Sequence, residues 1–138
     1  MPIFLGVTVG SITAIFSIFY ISKLFGLTSE LTLSLIPKSI TTPIGIEVSK
    51  TIGGIPAITV AAIIITGIMG AVISPIVCKT FKITDEIAIG ISIGTSSHVI
   101  GTTKAIEMGE TEGAMSGLAI GIAGLITSFL APILIKLL

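Results

Sequence analysis

Apolar and polar positions along the chain alternate in long blocks. Three stretches carry no charge and are almost wholly apolar: 3–22 (20 residues), 55–78 (24) and 113–135 (23). About 20 apolar residues at about 1.5 Å rise cross the hydrocarbon core of a bilayer, so each stretch predicts a transmembrane helix. The first has no positive n-region, is too long for a signal h-region and ends in "YISKLFG" rather than a small-residue cleavage site, so it reads as a retained helix. Pro56 falls in the first turn of the second span, where a missing N–H costs nothing.

Between the spans lie "ELTLSLIPKSITTPIGIEVSKTIGG" (30–54) and "DEIAIGISIGTSSHVIGTTKAIEMGE" (85–110). Each has an apolar half, a polar knot, and a second half that drifts to charge. Irregular backbone against lipid would leave costly unpaired groups, but inside protein or beside a wet cavity it is tolerated, as in the broken helices of transporters. A shift of 60 residues places Ile40, Thr42, Ile46, Glu47, Thr51 and Gly53 on Ile100, Thr102, Ile106, Glu107, Thr111 and Gly113, six identities in fourteen positions. The fold expected is therefore all-α and integral to the membrane: three full transmembrane helices plus two discontinuous ones, in an internal repeat with halves 30–78 and 85–137.

Two topologies satisfy this pattern. If each broken segment crosses completely, Lys23, Lys79, Lys82 and Lys136 share one side and Lys50 lies opposite; if each is a re-entrant hairpin, Lys23, Lys50 and Lys136 oppose Lys79 and Lys82. The positive-inside rule favours full crossing, with "CKTFK" cytoplasmic and "EMGETEG" outside.

Composition sharpens this picture. Only 10% of residues are charged, seven lysines against seven acids with no arginine, so no basic stripe exists for nucleic acid. One Cys78 and one His98 make neither a disulfide nor a metal-ligand set, and "GISIGTSSHVIGTTK" has the spacing of neither a P-loop nor a dinucleotide fingerprint, so no metal or other cofactor is expected. Ser97 beside His98 lacks the paired carboxylate and strained elbow of a nucleophile, so enzyme activity is not indicated.

The knots carry the candidate chemistry. Pro37 and Pro43 remove two backbone donors and disfavour helix at Ile36 and Thr42, which predicts a helix break there and a new half-helix capped by Thr41 or Thr42. That half-helix N-terminus carries about half a positive charge, and Lys38 adds a full one. In the second knot Gly94 and Gly101 permit a break, Ser96, Ser97, Thr102 and Thr103 supply hydroxyls, and His98 can hold a proton near neutrality. Lys38, Ser39, Thr41, Thr42, Ser97, His98, Gly101 and Thr102 are thus candidate binding residues for a small carboxylate. The structural alternatives are Lys38 paired with Glu30 or Glu47 and His98 as a polar anchor. Gly113, Gly117 and Gly121 form a close-packing helix face within the protein, or else the interface of a homo-oligomer.

These words also carry a resemblance. "SLIPKSITTPIG" and "GTSSHVIGT", in order and separated by the apolar span, resemble the LrgB/CidB antiholin-like membrane protein family over residues 27–138. The resemblance implies an LrgB-like membrane domain there, preceded by a single helix at 1–26, where family members carry further transmembrane helices, so that the chain looks like a C-terminal portion. It also implies a multi-pass protein of the bacterial plasma membrane. Two activities come with it: carriage of small monocarboxylates such as pyruvate, glycolate or glycerate, tied to control of murein hydrolase activity and autolysis, or a non-transporting antiholin-like role on a holin-like LrgA/CidA partner.

Overall fold

The computed structural model describes residues 1–137; Leu138, the last residue of the expected 27–138 domain, lies outside them. Among the described residues every regular element is helical, and the three uncharged stretches are α1 (Pro2–Leu24), α4 (Pro56–Thr80) and α6 (Glu110–Leu137). Each is long and apolar enough to span a bilayer. Pro2 and Pro56 open α1 and α4 with a fixed helical φ. Gly26, at φ +66°, closes α1 in the left-handed conformation, the Leu27 amide reaching back to the Ser22 carbonyl at 2.9 Å. Lys82 does the same after α4 at φ +54°, with Ile83 donating to the Cys78 carbonyl.

Residues 29–52 form α2 (Ser29–Leu35), a 3-10 turn (Ile36–Ser39) and α3 (Thr42–Ile52). The Thr28 hydroxyl caps α2. α3 runs back antiparallel to α2: Gly54 lies against Leu33 and the Ser34 amide, and Thr59 at the start of α4 donates to the Ser34 carbonyl (2.8 Å) while sharing a 2.7 Å bond with the Ser49 hydroxyl. Ser34, Ser49 and Thr59 are fully buried, so this knot fastens α2 and α3 to α4.

Residues 86–108 form α5 (Glu86–Met108), capped by Asp85, whose carboxylate accepts from the Ala88 amide at 2.7 Å. Its one residue outside helical geometry is His98, at φ +43° and ψ −142°. Gly90 abuts the Glu112 carbonyl, while Ile106 abuts Gly113, the next residue of α6. Sixteen residues of straight helix would separate Gly90 from Ile106 by about 24 Å. The two halves of α5 therefore lie side by side, and the chain doubles back at His98. Ile89 and Ile93 share a buried cluster with Ala105 and Cys78.

Full crossing by 30–54 and 85–110, the arrangement the lysines favoured, is overturned by these contacts. Both segments return to the end of the bundle from which they start. α1 and α6 run in the same direction, since Val7 packs with Ala119 and Ala123, and Ile15 with Ala131. One end of the bundle therefore carries the α1–α2 connection (25–28), the α3–α4 connection (53–55) and Lys136. The other carries the α4–α5 connection (81–85) and the start of α6. Lys23, Lys50 and Lys136 stand opposite Lys79 and Lys82, with Lys104 on the α5 half that returns to that second end. The lysine rule misled because it counted too few charges to outweigh packing.

Candidate functional site

Lys38 lies at the inner tip of the 29–52 segment. α3 has 11 residues, so the tip sits about 16 Å from the α1–α2 end, near the middle of a hydrocarbon core about 30 Å thick. The Lys38 ammonium donates to the Ser39 hydroxyl at 2.9 Å. Among the described residues no carboxylate lies within ion-pair distance of it: Glu47 pairs with Lys50 and Glu107 with Lys104, both at 2.7 Å on the surface. The alternative of a structural pair between Lys38 and Glu30 or Glu47 is thus not seen among the described residues. Pro37, at ψ +19°, breaks the helix path just before it.

Lys38 faces the outward half of α5. Two clefts, of about 690 and 450 Å³, converge on it, one between α1 and α5 and the other between α4 and α5. Both are bordered by Lys38, Ser92 and Ser96; Ser39 and Thr95 belong to the first and Ser97 to the second. Lys38, Ser39 and Ser97 are thus brought together from the expected set. An ammonium with one hydroxyl at hydrogen-bond distance and the serines of α5 bordering the same clefts offers a cationic seat for one small anion.

The remaining candidates point elsewhere. Thr41 is the N-cap of α3 and Thr42 its first residue, with Pro43 following, and the Thr41 side chain makes no capping bond. His98 turns from the clefts and packs its ring against Gly67, with Nε2 2.7 Å from the Ile63 carbonyl. A carbonyl only accepts, so Nε2 carries the proton and donates. Thr102 donates to the His98 carbonyl at 2.8 Å and meets the Ser116 hydroxyl at 2.7 Å, bracing the turn against α6. Gly94 and Gly101 are helical: Gly94 admits the Ser116 carbonyl and Ala119, and Gly101 admits the Ser97 side chain.

Sequence reasoning found Ser96 and Ser97 but missed the cleft residues of α1 and, on α5, Ser92 and Thr95. Gly6, Gly10, Thr13 and Ser17 recur at helical spacing along one face of α1, and Ser92, Thr95 and Ser96 do so on α5. That periodicity of small and hydroxyl positions was the available signal, hidden because α1 reads as a uniform apolar anchor.

A family model described as the LrgB-like family matches residues 1–137, so the likeness extends through α1, ahead of residue 27. The chain is 43% identical over 136 residues to YwbG of Bacillus subtilis, covering 99% of this chain and 60% of that protein. It is 37% identical over 131 residues to an uncharacterized protein of Haemophilus influenzae, covering 95% and 57%. It is also 36% identical over 126 residues to a Bacillus cereus protein named antiholin-like protein LrgB, covering 91% and 55%. The chain therefore spans little more than half the length of these curated relatives. No solved structure matches it. With its membrane-spanning helices and this match along nearly its full length, the chain is a membrane protein and belongs to the LrgB-like family.

Proposed function

We propose that the protein is a carrier of small monocarboxylates, with Lys38 as the anion seat and no enzymatic step. The observation that carries the reading is a lysine at mid-bilayer depth, open to two clefts and without a carboxylate partner among the described residues. A charge held there is costly unless an anion or water attends it, and intramembrane lysines mark substrate pathways for that reason. One ammonium suits one carboxylate; Ser39, Ser92, Ser96 and Ser97 supply hydroxyls for a keto or hydroxy substituent.

The discontinuous-helix architecture of carriers supports this reading. In the 60-residue register Lys38 falls on His98, and the Ser34–Thr59 contact falls on the Gly94–Ala119 contact. We therefore read residues 30–78 and 85–137 as two units of segment plus span, entering from opposite faces in an inverted repeat. Uptake of labelled pyruvate, glycolate or glycerate into liposomes containing the purified protein tests the proposal. Uptake above empty liposomes is expected, and its absence from folded protein, with and without the additional segment of the longer relatives, overturns it.

A second reading is a non-transporting component that modulates a holin-like membrane partner and, through it, murein hydrolase activity, in line with the name of the Bacillus cereus relative. One observation favours it: Gly117 and Gly121 of α6 have open space where a side chain would project, and Leu118 and Leu125 on the same stretch are exposed. Such a face suits a second helix, from a partner or from another copy. Loss of co-purification with an LrgA-type protein on Gly121→Leu, in a protein that shows no carboxylate uptake in liposomes, would assign that face to this role.

A further inference from the structure

The two clefts at Lys38 share an orientation. The larger begins at Pro2 and Asp85, the smaller at Cys78 and Ile83, and these residues all lie at the end of the bundle that carries the α4–α5 connection. Toward the other end, Lys38 is backed by Ile15, Ile36, Ile40, Val48 and Ala131, all buried in one apolar cluster. The first half of α5 stands between the clefts, with Ser92 and Ser96 exposed to both. α1 turns its small and hydroxyl residues Gly6, Gly10, Thr13 and Ser17 to this space, whereas its large apolar residues Phe4, Leu5, Tyr20 and Ile21 are exposed on its surface. Gly10 sets the width, because a side chain there would strike Thr95 across the cleft.

We infer that the two clefts are branches of one water-filled vestibule that reaches Lys38 from the α4–α5 end alone, and that α1 is its wall rather than an anchor. Most of the lining is apolar, and the hydroxyls of Ser17, Ser92, Thr95 and Ser96 bond to carbonyls of their own helices, so it is the ammonium of Lys38 that calls for water: a charge at membrane depth without an acid beside it is tolerated where water or an anion reaches it. Water entering past Asp85 solvates the ammonium, while the Ile15–Ile36–Ile40 cluster seals the path beyond it. The charge at the closed end makes the vestibule select anions. The one-sided hydration rests on the geometry of the clefts; the anion preference rests on the anion-seat reading above.

The test uses single cysteines introduced by Thr13→Cys and Ser96→Cys in a Cys78→Ser background, with Leu118→Cys on the exposed face of α6 as the lipid-side control. Sealed vesicles of both orientations are treated with impermeant anionic and cationic methanethiosulfonates. The cleft positions should react from the α4–α5 face only and outpace the control. At Ser96→Cys the anionic reagent should gain about tenfold relative to the cationic one over the same ratio for a free thiol, and Lys38→Met should abolish that gain. Reaction only with a membrane-permeant reagent, or from the opposite face, overturns the vestibule. A gain that survives Lys38→Met leaves the vestibule standing and removes Lys38 as its anion selector.

Discussion

Replacing His98 with glycine should leave the protein more stable than replacing it with alanine, the reverse of the order inside a helix. At φ +43° and ψ −142° the His98 backbone occupies a region closed to most side chains, at a cost of about 1–3 kcal/mol. Both substitutions delete the Nε2 bond to the Ile63 carbonyl, worth about 1 kcal/mol net, and both empty the same space beside Gly67. Those losses cancel in the comparison. Glycine relieves the backbone strain, offset by about 0.5–1 kcal/mol of extra chain entropy, so it should lead alanine by about 0.5–2 kcal/mol. Were 85–110 one continuous crossing helix, alanine would instead lead by about 0.5–1 kcal/mol. Denaturant titration of the three proteins in detergent micelles, followed by helical circular dichroism, measures the difference. Alanine at or above glycine would refute the reversal at His98.

Other consequences follow from the same contacts. Gly94→Val drives methyl groups into the Ser116 carbonyl and Ala119 and should cost about 1–3 kcal/mol, whereas Gly117→Ala meets open space inside α6 and should stabilise by about 0.5–1 kcal/mol, both read by thermal melts. Thr59→Val removes the donor that joins Ser34 and Ser49 in a dry knot and should cost about 1–3 kcal/mol in the same assay. Phe81→Cys and Glu110→Cys, in a Cys78→Ser background, should react with an impermeant thiol reagent from one and the same membrane face; labelling from opposite faces would restore full crossing. Glu47→Gln breaks an exposed pair with Lys50 and should change stability by less than about 1 kcal/mol, with uptake retained.

The three spans were legible because uncharged length is a one-dimensional signal: 3–22 and 113–135 lie inside α1 and α6, and 55–78 lies inside α4 but for its N-cap Ile55. Pro37 and Pro43 marked the first tip for the same kind of reason, since a missing N–H acts locally. The reversal in α5 was harder to see. It sits on a histidine in a glycine-like conformation, while the glycines that seemed to offer a break, Gly94 and Gly101, are used for close packing that only the tertiary structure reveals. Thr42 and Thr102 match in the 60-residue register, yet the Thr102 hydroxyl braces a turn against Ser116 instead of facing a cleft. Which face a hydroxyl takes depends on where α1 and α6 lie, and the periodicity of each helix alone does not fix that.

The most direct test of the anion seat is ligand-dependent thermal stabilisation of detergent-purified protein, compared for the unaltered chain and Lys38→Met. The substitution keeps the length and apolar stem of the side chain and deletes its charge at the junction of the two clefts. A buried lysine whose role is to pair with an acid would unfold the protein when lost, at about 3–5 kcal/mol, but no acid lies within ion-pair distance of Lys38 among the described residues, so the variant should fold. The unaltered protein should melt at a higher temperature as pyruvate, glycolate or glycerate is added, and Lys38→Met should not respond. Undiminished stabilisation of a well-folded Lys38→Met protein by the same carboxylate would contradict the assignment of Lys38 as the seat.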